Sequence, residues 1–175
     1  MPRSHVRWNV KTLEDKFEPT GRPTVWTVHN LVHVHSFRYP KRKETRTEPE
    51  KQEIEITAIL FKFGREKNDG DMHIVLKDPV HHETMNAEIP DSIYAPRLGA
   101  LYNALCDSLQ RHCGTAPKDF SLRKPEQKGK VYVTVRGLLY LDWDHGERAK
   151  YQAKNFVECH PVLFLQFQQQ EYFKQ

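Results

Sequence analysis

The chain has 175 residues, a length that suits one domain able to bury more than half of the surface its unfolded form exposes. Apolar residues make up 38% and charged residues 29%, and the apolar ones are gathered into short blocks, which excludes a uniformly solvated chain and favours a core with polar loops. A net charge of +4 and a pI near 8.9 suit a polyanionic partner without requiring one.

Cys106, Cys113 and Cys159 are odd in number and show no CxxC spacing, so neither a disulfide framework nor a cysteine-rich zinc site is indicated, and a reducing compartment is expected. The start, MPRSHVRWNVKTLEDKF, has no apolar stretch of signal-peptide length, and no run approaches the ~20 apolar residues of a membrane span. The expectation is a soluble, cytoplasmic protein with no membrane partner.

Residues 1–23 read as an N-terminal arm that packs partially. From Val25 the pattern alternates, with Trp26, Val28, Val32 and Val34 on one side and His29, Leu31, His33, His35, Phe37 and Tyr39 on the other, which predicts a long first strand. Residues 40–52, PKRKETRTEPEKQ, hold charges, Thr and Pro, and are expected to form a solvated hairpin tip. Glu53 to Phe63 is a second strand whose apolar phase switches from Ile54, Ile56 and Ala58 to Ile59, Phe61 and Phe63, the mark of a bulge or strong coiling.

Asn68, Asp69 and Gly70 supply a tight reversal into the strand MHIVLKD, and a short loop then leads to the strand TMNAEIPD, which Pro90 ends. Between Ser92 and Cys113, Leu98, Leu101, Tyr102, Leu105 and Leu109 recur at helical spacing, with Asp91 or Ser92 as cap and Gly114 as stop. Cys106 and Cys113 sit near that stripe as small buried side chains. After a polar linker, KVYVTVRGLLYLDWD and NFVECHPVLFLQF are a closing strand pair, with Cys159 facing inward between Glu158 and His160. Residues 169–175 read as a polar tail.

This order predicts a mainly β, α+β fold: an OB-like five-stranded Greek-key barrel spanning residues 24–168, with its helix between strands 3 and 4. Three motifs carry a resemblance. They are Asp69-Gly70-Asp71-Met72-His73 with Leu76, Asp78 and Pro79; Thr84-Met85 with Glu88 and Pro90; and Asp142, His145-Gly146, Asn155, Glu158 and His160-Pro161-Val162. Over residues 69 to 162 the chain resembles an uncharacterised bacterial OB-like family with DGDxHxxLxDP, TMxxExP and HG…NxxExHPV motifs. The resemblance implies the fold and no assigned reaction. Members of that family are often exported, and the loop GERAKYQAKN departs from the small-residue run usual there.

The motif residues Asp71, His73, Glu88, Asp142, His145, Asn155, Glu158 and His160 are those a polar site uses. His73, His160, Glu158 and Asp142, with Asp144 nearby, offer neutral imidazoles and hard carboxylates that suit Zn or Mn and can orient water. His33-x-His35 places two further imidazoles on one predicted strand face. A structural hydrogen-bonded network, a binding site and a metal-dependent hydrolase or nuclease all fit this set. No cofactor is required by any motif, and phosphate-loop, dinucleotide and serine-elbow patterns are absent.

OB barrels commonly grip single-stranded DNA or RNA by stacking bases on aromatics beside basic side chains. Phe37, Arg38, Tyr39, Lys41, Arg42 and Lys43 are candidates at the end of the first hairpin. Tyr132, Arg136 and Tyr140 are candidates on the fourth strand. The leading reading is a non-enzymatic single-stranded nucleic-acid-binding domain, with a protein partner docking on the 40–52 finger as a third possibility.

Overall fold

The computed structural model describes residues 7–38, 45–67, 69–117, 121–126, 129–142 and 151–169. Six strands are present among them: β1 (Thr24–Trp26), β2 (Glu53–Arg65), β3 (Met72–Lys77), β4 (Thr84–Ile89), β5 (Tyr132–Leu141) and β6 (Val157–Gln168). They run in the order β1-β2-β3-β4-β6-β5, and a further β2–β5 pairing closes the last five into a barrel. β4 and β6 pair in parallel through Asn86↔Glu158 and Ala87↔Cys159, while the other barrel pairs are antiparallel. β1 lies outside the ring, parallel to the first half of β2.

Closure depends on β2 serving two neighbours. Its first half pairs with β5 and its second with β3, and the register slips between Leu60 and Lys62. That bulge is the phase switch seen in the sequence, and the extra residue bends the strand from one partner to the other. On β5, Gly137 sits where β6 approaches most closely: a Cβ there would lie 2.3 Å from the carbonyl oxygen of Pro161. Only glycine fits.

The barrel interior holds Ile54, Ile56 and Ala58 of β2, Met72, Ile74 and Leu76 of β3, Met85, Ala87 and Ile89 of β4, Val133 and Val135 of β5, and Val157 and Cys159 of β6. The long helix, Gly99–Cys113, lies between the third and fourth barrel strands and adds Tyr102, Leu105, Cys106, Leu109 and Cys113 to that core. It follows a 3-10 turn at Pro96–Leu98, so it begins later than Ser92. It ends at Gly114, whose φ of 88° is one that side chains rarely adopt. All three cysteines are free and buried. Burial raises the Cys106 thiol to about 11 and the Cys113 thiol to about 12, which keeps them unreactive.

Two expectations are corrected. The long first strand is only Thr24–Trp26, and a short helix, Val28–Val32, follows it. Thr27 caps that helix by accepting the Asn30 N–H on its hydroxyl at 3.0 Å, and Val28, Leu31 and Val32 are buried at one-, three- and four-residue spacing. The valines that fit a period of two also fit a helix face.

The 40–52 segment is not a free hairpin tip. Tyr39 to Glu44 lie outside the described residues, but Arg46 and Glu50 are buried. Glu50 accepts from Arg7, from the Thr47 N–H and hydroxyl, and from the Leu141 N–H at 3.1 Å. Arg46 donates to Asp15 and to the carbonyl of Val10. A charged run of this kind can be buried because its partners, 31 to 91 residues away, satisfy it. Arg46 and Glu50 therefore anchor its second half, while Thr45, Glu48 and Lys51 remain exposed.

Removing the Glu50 carboxylate strands a buried guanidinium and a buried strand N–H. Glu50→Ala should lower unfolding free energy by about 3–5 kcal/mol, measured by urea denaturation. A loss below about 1 kcal/mol would show that the arm and strand β5 do not depend on this carboxylate.

Candidate functional site

Side chains alternate across a strand, so residues beside core positions must face outward. On β3, β4, β6 and β5 those outward positions are His73, Asn86, Glu88, Glu158, His160 and Tyr140. Strand register sets His73 opposite Glu88, and Glu158 beside both Asn86 and Tyr140. An outer barrel face ordinarily meets water, yet every one of these residues is buried.

The N-terminal arm supplies the cover. Residues from Arg7, including the short helix α1 (Trp8–Lys11), run over this face. Val10 and Leu13 are buried, the Trp8 indole donates to the Tyr94 carbonyl, and the Tyr102 hydroxyl donates to the Thr12 carbonyl at 3.1 Å. Lys11 reaches in so that its Nζ is 3.7 Å from Glu88 Oε2 and 5.4 Å from the centre of the Tyr140 ring. Arg7 stacks over the same ring at 5.2 Å.

Asp71 enters from the β2–β3 turn. Its Oδ1 accepts the Asp91 N–H at 2.8 Å, and its Oδ2 lies 3.7 Å from His160 Nε2. His160 Nδ1 lies 2.9 Å from Glu88 Oε2, and His73 Nδ1 lies 3.2 Å from Glu88 Oε1 and 3.4 Å from Glu66 Oε1. These contacts are close but poorly aligned. Asp71 Oδ2, His73 Nδ1, Glu158 Oε2 and both ring nitrogens of His160 have no well-directed hydrogen-bond partner among the described residues. Buried polar atoms are normally satisfied, so such a concentration marks a site.

The electrostatics separate like groups. Burial opposes ionisation of Glu88, but the charge of Lys11 and the neighbouring histidines outweigh it and hold its pKa well below the usual carboxylate range. Burial, then the Glu88 charge, pushes Asp71 and Glu158 well above that range. Burial opposes the charged form of His73, but the nearby Glu66 and Glu88 carboxylates outweigh it and push its pKa well above the usual histidine value. His160, fully buried and near Lys11, is pushed toward its neutral form. One acid held low beside two pushed high, and one imidazole pushed up beside one pushed down, is the kind of splitting seen where chemistry or binding occurs.

Two overlapping sets have donor atoms within 4.8 Å of one another: Asp71, Glu88 and His160, and Glu66, His73 and Glu88. Of the four residues expected to hold a metal, His73 and His160 are in these sets. Glu158 and Asp142 are not, although Glu158 is adjacent through its bond from Asn86 Nδ2 at 3.3 Å. Asp142 accepts from Gln152, with its N–H bonded to the carbonyl of Phe156. Asn155 holds the helix Val28–Val32 instead, donating to the carbonyls of Leu31 and Val34 at 2.9 and 3.1 Å. His145 and Asp144 lie outside the described residues.

The nucleic-acid candidates are dispersed. Tyr140 is buried under the arm, Tyr132 is half-buried, and Arg136 packs over Phe164 at 4.0 Å while 3.3 Å from Glu55. Phe37 packs against the core, Arg38 is exposed, and Tyr39, Lys41, Arg42 and Lys43 lie outside the described residues. Sequence reading missed Lys11, because nothing in the arm's pattern marks a lysine for burial. It also missed Glu66, which sits three residues past Phe63, the last apolar position of β2. Among the histidines, His33 is matched with His29 rather than His35.

The pH dependence of stability follows from these directions. Asp71 and Glu158 (ordinary values about 4) and His73 (about 6.5) bind protons more tightly when folded, so their contribution is full below those values and is lost as pH rises through the folded ones. Glu88 and His160 are shifted down, and their contribution is lost as pH falls. In chelator-treated protein the melting temperature should peak at mildly acidic pH and fall as the pH is raised further. Asp71→Asn and Glu158→Gln should flatten that alkaline fall, and a melting temperature that climbs steadily over the same range would contradict the assignment.

No protein-family model matches the chain, and no curated protein matches it. Among solved structures, one similar chain is described as "a putative aspartyl-tRNA synthetase from Leishmania major Friedlin". It is 13% identical with a TM-score of 0.40, and the match covers 89% of this chain and 25% of that one. This chain thus spans a quarter of the synthetase's length, and a likeness this slight says nothing of what it binds.

Proposed function

We propose that the protein is a divalent-metal-binding OB-like domain whose ion is held by Asp71, Glu88 and His160. One observation carries the reading. Three buried donor atoms lie within 4.8 Å of one another, and two of those residues, Asp71 and His160, present atoms with no aligned partner. Two carboxylates and a neutral imidazole form a donor set suited to Zn or Mn. A bound cation supplies positive charge beside Asp71 and Glu158, whose burial favours the protonated form, so its entry releases protons. The arm over Glu88 makes the site closed, which fits an ion that stabilises the domain; the solvent edge of the cluster is Glu66, with about a fifth of its side chain exposed.

A second reading, binding of single-stranded nucleic acid, is supported by the position of Asn155. Its side chain ties Leu31 and Val34 to the β5–β6 connection, so the chain leading to Phe37, Arg38 and the basic run 41–43 sets out beside a loop with which OB domains contact oligonucleotides.

For the metal, titration of chelator-treated protein with Zn2+ or Mn2+ should raise the melting temperature and release protons, and Asp71→Asn and His160→Gln should each sharply reduce both effects while circular dichroism shows an intact barrel. Wild-type protein that gains no stability from either ion would overturn the reading. Phosphodiester cleavage that needs the ion and disappears in Asp71→Asn would make the site catalytic.

For nucleic acid, fluorescence anisotropy with labelled single strands should show binding that weakens as salt rises. Replacing Lys41, Arg42 and Lys43 together by Ala should weaken it about tenfold or more at low salt. Absence of binding by wild type at low salt retires this reading.

A further inference from the structure

A second cluster lies at the opposite end of β3 and β4, away from the buried centre. The helix α2 (Val28–Val32) and its C-cap carry His29 and His33 four residues apart, hence on one face. Glu83, from the turn between β3 and β4, comes up to both. Its Oε2 is 2.7 Å from His29 Nδ1, and its Oε1 is 3.3 Å from His33 Nε2. Donor atoms of all three lie within 4.8 Å of one another.

The arrangement is held from beneath. Val28, Leu31 and Val32 anchor α2 in the core. Asp78, itself buried, accepts the His29 N–H on Oδ2 at 3.1 Å and the Val80 and His81 N–H groups on Oδ1 at 2.9 Å. Its own N–H donates to the carbonyl of Glu83 at 2.8 Å. One carboxylate therefore fixes the helix start and the turn that carries Glu83 in a single frame. The His81 ring stacks on His29 with centroids 3.7 Å apart and shields one side of it.

The tautomer of His33 is decisive. Its Nδ1 is 2.8 Å from the carbonyl oxygen of His29, which can only accept, so Nδ1 carries the hydrogen. In the neutral ring Nε2 then presents a lone pair toward a carboxylate oxygen 3.3 Å away. A positive charge between the two atoms, a proton on Nε2 or a metal ion, relieves that opposition of lone pairs. A histidine that donates one ring N–H to a backbone carbonyl and offers the other nitrogen is the usual second-shell pattern of a metal ligand.

We propose that His29, His33 and Glu83 form a surface site for a zinc-type transition-metal ion, with the remaining position open to water. Two imidazoles and a carboxylate select such ions over Mg2+ or Ca2+, which prefer all-oxygen shells. The site is independent of the buried centre, shares no residue with it, and its side chains are a quarter to two-fifths exposed, so an ion can enter without moving the arm.

The test uses the full chain without an affinity tag, titrated with Zn2+ and Co2+ in the Asp71→Asn background, where the buried centre is disabled. One equivalent of Zn2+ should bind far more tightly than Mg2+, and Co2+ should give the intense visible bands of a four-coordinate ion. His29→Asn, His33→Asn and Glu83→Gln, all at partly exposed positions, should each weaken Zn2+ binding by about tenfold or more with unchanged circular dichroism. Zn2+ affinity no better than that for Mg2+, weak six-coordinate cobalt bands, or indifference to any of the three substitutions would overturn the assignment. If this background binds no ion while the wild-type chain does, the buried centre stands and the surface site falls.

Discussion

The Glu88 carboxylate is removed from water on what is, by strand alternation, the outside of a barrel, and much of the surrounding structure answers that burial. An isolated buried carboxylate costs several kcal/mol even after relaxation, so it persists only with compensating groups. Lys11 comes from the arm, His73 from the neighbouring strand, and His160 from the parallel strand β6. The arm is consequently part of the folded unit: Lys11 cannot reach Glu88 unless Val10 and Leu13 are seated on the sheet, and they are seated because Arg46 holds the Val10 carbonyl and Tyr102 the Thr12 carbonyl. The same dependence continues through Arg7 to Glu50 and then to β5.

Much of the barrel was legible because its signals are local. Period-two alternation marked β2 through β6, the phase switch in β2 marked its bulge, and three- and four-residue spacing marked the long helix. The helix Val28–Val32 was hidden because Val28 and Val32 fit both periods, and what decided between them was Thr27, whose hydroxyl as an N-cap offers the backbone a local partner. Arg46 and Glu50 were read as solvated for a different reason. Charge composition reports what a segment cannot bury alone, and their partners, Asp15, Arg7 and the Leu141 N–H, are distant in sequence.

The site was legible in part for the same reason. His73, Glu88, Glu158 and His160 stand at alternate positions beside apolar core residues, where polar groups need an explanation, and their motif spacing drew attention to them. Their convergence was not readable, because it depends on the parallel β4–β6 pairing that brings Asn86 beside Glu158. Lys11, the counter-charge, comes from a helix of four residues that no periodicity supports.

Position also bears on how such a barrel engages ligands. OB domains usually bind along the face of their second and third strands, which here are β3 and β4. In this chain that face carries His73 and Glu88 and is sealed by Lys11, so a polyanion arriving there would meet carboxylates after displacing a packed arm. The seated arm therefore closes that face of the sheet. The small cation is the opposite case. It needs no open face and gains from each carboxylate that repels a phosphate. The feature that closes this face to the usual OB ligand is thus the one on which the proposed ion site rests.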